Sequence, residues 1–427
     1  MATLEGVSNL VYSTSTMIAL KNLPRNASAS IKLEPLWALF GPLVTYFMPL
    51  YQKELGLSEV QMGSINSIAI ATGFIFYALA SPITNKLGRR YTSIIFDSIA
   101  WSIAMLVWAF SRSFAWFLIA QVLNSVVRIV VVSWNLLITE DATDQERAAI
   151  YGWIYVIGAF GGLSTFFGGI IIQKFGLVPS MQIIFILGSI SMSTMFILRF
   201  IWTRETVPGQ YLKEKLRKEP FIKLVFQQIP SARDALKDSS FLMMTGIYIL
   251  ASAVLSIDFF RILFLVEKKF IPSWAVSVIP ATGAISCMAV FFLILPRRKH
   301  ISHIESLKNG FLLSFLFQAA FLFIPVHSAT LAILIVSGLQ TSYFLIQTFR
   351  DTVFMNTVRS DQKSELFSLV QALMLFFTIP MGWLAGWLFE ISQNLPFILA
   401  IILYGLGFLL SINLKKQNFA REAGSSV

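Results

Sequence analysis

The sequence predicts an all-α polytopic membrane protein, with twelve transmembrane helices in two pseudo-symmetric six-helix bundles. Three observations predict it. Of 427 residues, 56% are apolar and only 13% are charged, about half the charged share of an ordinary soluble protein. The apolar residues run in repeated stretches of roughly 18 or more, the length a helix needs to cross a bilayer. Basic residues then gather at alternate ends of those stretches.

Residues 1–33 carry Lys21, Arg25 and Lys32 among polar positions, with no apolar core before the first long run. They read as a cytoplasmic N-terminal tail and not as a cleaved signal peptide. Spans follow at roughly 34–54, 60–83, 92–111, 114–136, 149–172, 180–202, 240–266, 273–295, 308–326, 329–349, 366–389 and 395–413. Barrel strands would alternate over about ten residues, whereas these runs stay apolar for twice that length. An N-terminal bundle over 34–202 and a C-terminal bundle over 240–413 thus flank a cytoplasmic central loop at 203–239. Residues 414–427 form a cytoplasmic C-terminal tail.

With the N-terminus inside, the inner loops and tails hold 25 of the 33 Lys and Arg, and the outer loops hold five. That asymmetry places both termini in the cytoplasm of a multi-pass protein of the cell inner or plasma membrane. The net charge of +11 is therefore a topology signal. A nucleic-acid binder would gather its basic residues into one domain or stripe, so no nucleic-acid partner is expected, and membrane lipids are. Cys287 is the only cysteine, and His300, His303 and His327 are the only histidines, which excludes disulfides and histidine metal clusters. There is no phosphate loop, His-Glu-x-x-His or Gly-x-Ser-x-Gly motif. No enzyme activity, cofactor or metal is expected, and energy must come from a gradient.

The central loop holds a charged segment, Tyr211 to Pro220, and an amphipathic one, Phe221 to Ile229. It reads either as an interfacial helix touching anionic headgroups or as a solvated linker, with Pro208-Gly209 a flexible exit from span six. A repeat shows faintly. Asp144-Gln145 after span four and Asp361-Gln362 after span ten are offset by 217 residues, and basic hinges at Lys86–Arg90 and Arg297–His300 follow spans two and eight. Duplicated six-helix halves suit alternating access.

These features resemble the major facilitator superfamily from about residue 33 to 413. The family's loop between helices two and three, Gly-x-x-x-Asp-x-x-Gly-Arg-Arg/Lys, is matched by Ser81 to Arg90. Gly88, Arg89 and Arg90 hold, while Ser81 and Asn85 replace the glycine and the aspartate. The helix-four pattern is mostly lost, at Gln121, Asn124 and Ser125. Glu140 and Arg147 match the acidic and basic residues of the loop after helix four. The glycines Gly158, Gly161, Gly162, Gly168 and Gly169 echo a helix-five motif associated with antiporters, without its proline. The chain resembles prokaryotic members that begin helix one with Glu-Pro-Leu-Trp, here Glu34 to Trp37, and end helix four with Trp-Asn-x-Leu, here Trp134 to Leu137. The resemblance implies the major facilitator fold, a monomer, and transport of a small-molecule substrate whose identity stays open.

The resemblance also implies a cytoplasmic gate at Asn85, Gly88, Arg89, Arg90, Asp97, Glu140 and Arg147. Gly88 would supply a tight turn, and Arg89 and Arg90 would bond helix-end carbonyls and acidic groups, or else only set topology. Asp97 would replace part of the charge that Asn85 lacks, or carry a proton. The residues themselves single out Arg128, well inside span four, where a charge on an isolated helix costs several kcal/mol. It reads as a contact to an anionic or strongly hydrogen-bonding substrate, or as part of a structural network. Asp258 and Arg261 share a face of span seven, as a local ion pair or as a proton-responsive carboxylate tuned by its neighbour. Tyr46, Asn124, Trp134, Tyr155, Tyr248, Gln340 and Gln347 could line a polar cavity or simply pack between helices. Arg199 reads as a snorkelling anchor. The expected function is secondary active transport of a small organic solute, with protons as candidate coupling ions. A lipid or amphiphile flippase and a non-transporting receptor or scaffold are the alternatives.

Overall fold

The computed structural model describes residues 20–226, 237–290, 293, 302–357 and 363–424. Asp361-Gln362, the hinge Arg297–His300 and the side chains of Asp144, Gln145 and Tyr155 lie outside the described residues. Among them nine helices are long and apolar enough to cross a membrane, and Ser273–Ala289 is a shorter apolar helix. The chain divides into two compact units, Met1–Ile229 and Pro230–Val427.

The segment predicted as the first span is not among those nine and is built from three pieces: α1 (Arg25–Leu33), α2 (Pro35–Ala38) and α3 (Gly41–Glu54). Pro35 and Pro42 lack an N–H, so the helical ladder is interrupted at each. The helix thus begins at Arg25, ahead of the start at 34 that hydropathy gives. Its Ala27, Ser28, Ala29 and Ser30 are too polar on average to register as a span, yet small enough to pack closely. Ala27 and Ile31 are buried with Ile138, Ala142 and Ile150. Asn26 then clamps the main chain of Arg204, donating to its carbonyl and accepting from its N–H, both at 2.9 Å.

α4 (Glu59–Leu87) opens on a capping box between Ser58 and Gln61 and runs to the turn at Gly88. α5 (Arg89–Phe110) follows, interrupted by a π turn at Ser98–Ile103. Neighbouring helices supply donors to that turn: Asn124 Nδ2 to Ala100 O and Ser189 Oγ to Ser102 O, both 2.8 Å. α6 (Phe114–Thr139) tightens at Val126, where Val126 N–H bonds Leu123 O and Ile129 N–H bonds Val126 O, a 3₁₀ step. α7 (Asp144–Phe175) begins with a second capping box, Thr143 with Glu146. It lies close against the first span, where a Cβ at Gly161 would stand 2.9 Å from Pro42 Cγ. α8 (Leu177–Trp202), α9 (Val207–Lys215) and α10 (Phe221–Phe226) complete the unit. Part of the segment 203–239 is therefore helical, α9 starting on a Thr206 cap with Pro208 in its first turn.

Unit two contains α11 (Ser239–Asp258), a short continuation at Arg261–Leu263 and a π turn at Phe264–Lys268. α12 (Ser273–Ala289), α13 (His303–Leu322), α14 (Ala329–Thr357), α15 (Lys363–Thr378), α16 (Met381–Ile391) and α17 (Leu395–Gly424) follow. α14 packs on both α12 and α13, and α11 packs on α14, α15 and α17. α14 outlasts the span of 329–349, because Arg350 and Asp351 neutralise each other inside the helix instead of ending it.

Candidate functional site

The residues of the hinge between α4 and α5 form one bonded cluster in unit one. Gly88 has φ 91° and ψ 159°, which only glycine adopts without strain. That backbone aims the first N–H groups of α5 at Glu205, whose carboxylate accepts from Arg89 N–H at 2.9 Å and Arg90 N–H at 3.2 Å. A carboxylate at a helix N-terminus satisfies orphan donors and meets the favourable end of the helix dipole. The Arg89 fork grips Glu140 through Nε (3.0 and 3.2 Å) and Nη2 (2.8 Å), while Nη1 donates to Asn85 Oδ1 at 2.9 Å. Thr206 Oγ1 donates to Glu140 Oε2 at 2.5 Å and accepts the N–H of Gly209. Arg90 donates to the Phe200 carbonyl near the end of α8 and lies 4.0 Å above the Phe200 ring. Arg147 Nε bonds Thr139 O at the end of α6. Beside the cluster, partial burial pushes the Asp141 carboxyl above the usual aspartate range, opposed by a bond from the Val207 main chain.

Two expectations here need correction. Asp97 does not compensate for Asn85, because it faces Arg199, whose Nη1 donates to Asp97 Oδ2 at 2.9 Å. Arg199 does not snorkel: it is 2% exposed, and its Nη2 also donates to Glu34 Oε2 at 3.2 Å. Bonds to two carboxylates hold the guanidinium inside the unit. Glu205, Thr206 and Glu34 are missed by the sequence reading. A signal for Glu205 existed in Glu205-Thr206-Val207-Pro208-Gly209, where threonine precedes a helix start marked by proline.

Arg128 sits two residues beyond the tightened turn of α6. The turn is braced by Ser125 Oγ, 2.7 Å from Val122 O and 2.9 Å from Thr72 Oγ1 of α4. The Arg128 side chain lies over Gly73 of α4, whose added Cβ would be 3.4 Å from Arg128 Cγ, with Tyr77 one turn along acting on it electrostatically. It is exposed, with no ion pair or hydrogen bond among the described residues. Of the neutral candidates in this unit, Asn124 is committed to the Ala100 carbonyl. Trp134 lies with its ring 5.9 Å from the Arg199 guanidinium. Tyr46 meets Phe47 edge-on at 5.2 Å.

In unit two, Arg261 pairs with Asp258 within the helix turn and lies 5.5 Å from the Phe321 ring. A second cluster joins α11 to α14. Tyr248 Oη donates to Asp351 Oδ1 at 2.6 Å, Arg350 Nε donates to the same oxygen at 2.9 Å, and the Arg350 guanidinium lies 4.0 Å over the Tyr248 ring. Tyr343 Oη bonds Ala251 O at 3.0 Å, with Gln347 in hydrogen-bond reach. Gln340 lies against Gly283 of α12. Arg350 and Asp351 escape sequence reading because adjacent charges at the end of an apolar run look like a loop. Among the described residues no group of His, Cys, Asp or Glu could hold a metal ion.

Nine apolar helices of spanning length among the described residues mark a polytopic α-helical membrane protein. A family model described as the Major Facilitator Superfamily matches residues 37–364, and the chain belongs to that superfamily of transporters. Solved structures share the fold at low identity. A bacterial homolog of the human lysosomal transporter Spinster, inward-facing and occupied, is 14% identical with a TM-score of 0.67, covering 91% of this chain and 96% of that one. The nucleoside transporter NupG is 12% identical with a TM-score of 0.71, covering 92% and 99%. The multi-drug resistance efflux pump PmrA of Streptococcus pneumoniae is 29% identical over 140 residues, 32% of this chain. The matched stretch spans about a third, 35%, of that relative's length.

Proposed function

We propose that this protein carries a small organic solute across the inner or plasma membrane by alternating access. In this reading twelve spans form two six-helix bundles, at 34–202 and 240–413, with both termini cytoplasmic and the chain acting as a monomer. The observation that carries it is Arg128: exposed, bonded to no acidic partner among the described residues, and placed well inside an apolar span. An ionisable group at such depth marks a substrate or ion pathway by default. A planar, permanently charged fork suits an anionic or strongly hydrogen-bonding group on the solute. The local likeness to a multidrug efflux pump puts amphiphilic organic compounds, and export, first among the candidates. The bonds of Arg89 and Arg90 to Glu140 and Phe200 supply a latch that closes one end of unit one and must release for it to open. Asp258 is the candidate carboxylate for proton coupling.

Purified protein reconstituted into vesicles and offered a solute panel under imposed gradients tests the reading. Arg128→Lys should weaken solute binding about tenfold or more, since an ammonium cannot reproduce a bidentate contact. Unchanged affinity would assign Arg128 to structure. Asp258→Asn should abolish gradient-driven accumulation while sparing solute exchange; normal accumulation removes Asp258 from coupling. Movement of labelled lipid in place of solutes would mark a flippase, and no movement of either a receptor or scaffold.

A further inference from the structure

Glu34, Asp97 and Arg199 belong neither to the latch nor to the surroundings of Arg128. They come from three segments of unit one. Glu34 is the joint between α1 and α2, Asp97 precedes the π turn of α5, and Arg199 lies in the last turn of α8. The guanidinium divides its bonds, Nη1 to Asp97 and Nη2 to Glu34, so each carboxylate receives one where a bidentate partner would give two. Among the described residues Arg199 Nε reaches no acceptor. The surroundings are apolar or soft: the Trp134 and Phe196 rings stand 5.9 and 5.7 Å from the guanidinium carbon, and Met195 Sδ is 3.6 Å from Nη2. Among the described residues the charged groups acting on Asp97 are Arg199 and Glu34, and the one acting on Glu34 is Arg199. Lys32 of α1 is exposed.

With all three groups ionised, the cluster carries a net charge of −1, with Arg199 and Asp97 buried and Glu34 partly buried. An uncompensated buried charge costs several kcal/mol. One proton removes the excess: one carboxylate stays paired with Arg199, and the other becomes a neutral acid. We propose that Glu34, Asp97 and Arg199 form a proton-binding site inside unit one, in which two carboxylates hold one proton between them. The proton belongs to the pair and not to either residue. The site is separate from Asp258 and holds whether or not the solute reading does. Its placement gives the proton a consequence. The residue after Arg199 is Phe200, whose carbonyl binds Arg90, and a few residues on Glu205 caps α5. Gain or loss of the proton shifts the grip of Arg199 between α1 and α5 on the same short stretch of chain that closes the latch.

Infrared spectroscopy of the purified full-length protein reads carboxylic-acid C=O groups directly. Wild-type protein should show such a band at about pH 7 that vanishes as pH rises. Glu34→Gln and Asp97→Asn should each lose one carboxyl's worth of that intensity at the same pH, because the remaining carboxylate balances Arg199. A wild-type spectrum with no carboxylic-acid band at pH 7 overturns the proposal without any variant. Full intensity surviving in either folded variant overturns it too, by locating the proton elsewhere. If one variant fails to fold, the other decides.

Discussion

Gly88→Ala strains the backbone and evicts a neighbour, and the two effects can be measured apart. At φ 91° and ψ 159°, a residue with a Cβ is strained by about 1–3 kcal/mol. The added Cβ would also stand 2.9 Å from Glu205 Cδ and closer to its Oε2. The carboxylate must then withdraw from the Arg89 and Arg90 N–H groups. Losing a helix cap costs about 0.5–2 kcal/mol, so the whole substitution should destabilise by roughly 2–4 kcal/mol. Gly56 provides the control: its φ is 85°, and a Cβ added there would meet nothing within 4 Å, so Gly56→Ala carries backbone strain alone. Thermal unfolding of the purified protein in detergent reads both. Adding Glu205→Ala to Gly88→Ala should cost less than the sum of the single changes, by about 1 kcal/mol, because the collision is gone. Strict additivity, or a Gly88→Ala protein as stable as Gly56→Ala, would refute the capping role of Glu205.

Two further outcomes follow from the same end of unit one. Arg89→Lys keeps the charge but loses the fork that meets both Glu140 and Asn85, so stability should fall by about 1.5–3 kcal/mol; a melt unchanged from wild type would show that the fork is dispensable. Asp141 has a folded-state carboxyl held above the ordinary aspartate range, so its contribution is present at acid pH and lost as pH rises from the unfolded value through the folded one. Asp141→Asn should flatten the pH–stability profile in that window, and an unaltered profile would exclude the effect.

The nine helices of spanning length among the described residues were legible because hydrocarbon demands long apolar runs whatever their partners. Gly88, Arg89, Arg90 and Glu140 were legible because a short basic hinge and an acidic loop recur at family spacing. Partnership across long separations was not. Arg199 meets Asp97 and Glu34 over 102 and 165 residues, and nothing local distinguishes it from a helix-end arginine reaching for headgroups. Glu205 sits among linker charges, and its role as a cap depends on a turn 116 residues earlier. Asn124 read equally as a cavity residue or as packing between helices, and its bond is to a carbonyl within a π turn, an irregularity that leaves no mark on an apolar pattern.

That π turn has a consequence for how the helix can change over time. It inserts one residue beyond the regular repeat between Asp97 and Ala104, so the two ends of α5 are out of phase by about 100° relative to an unbroken helix. Arg89 and Asp97 on one side, and Met105 and Trp108 on the other, are all buried, each toward neighbours that suit this phase. Removing a single residue there would close the ladder and swing one set of side chains away from its partners. Residue identities along the turn can drift among small and apolar types, but its length is fixed.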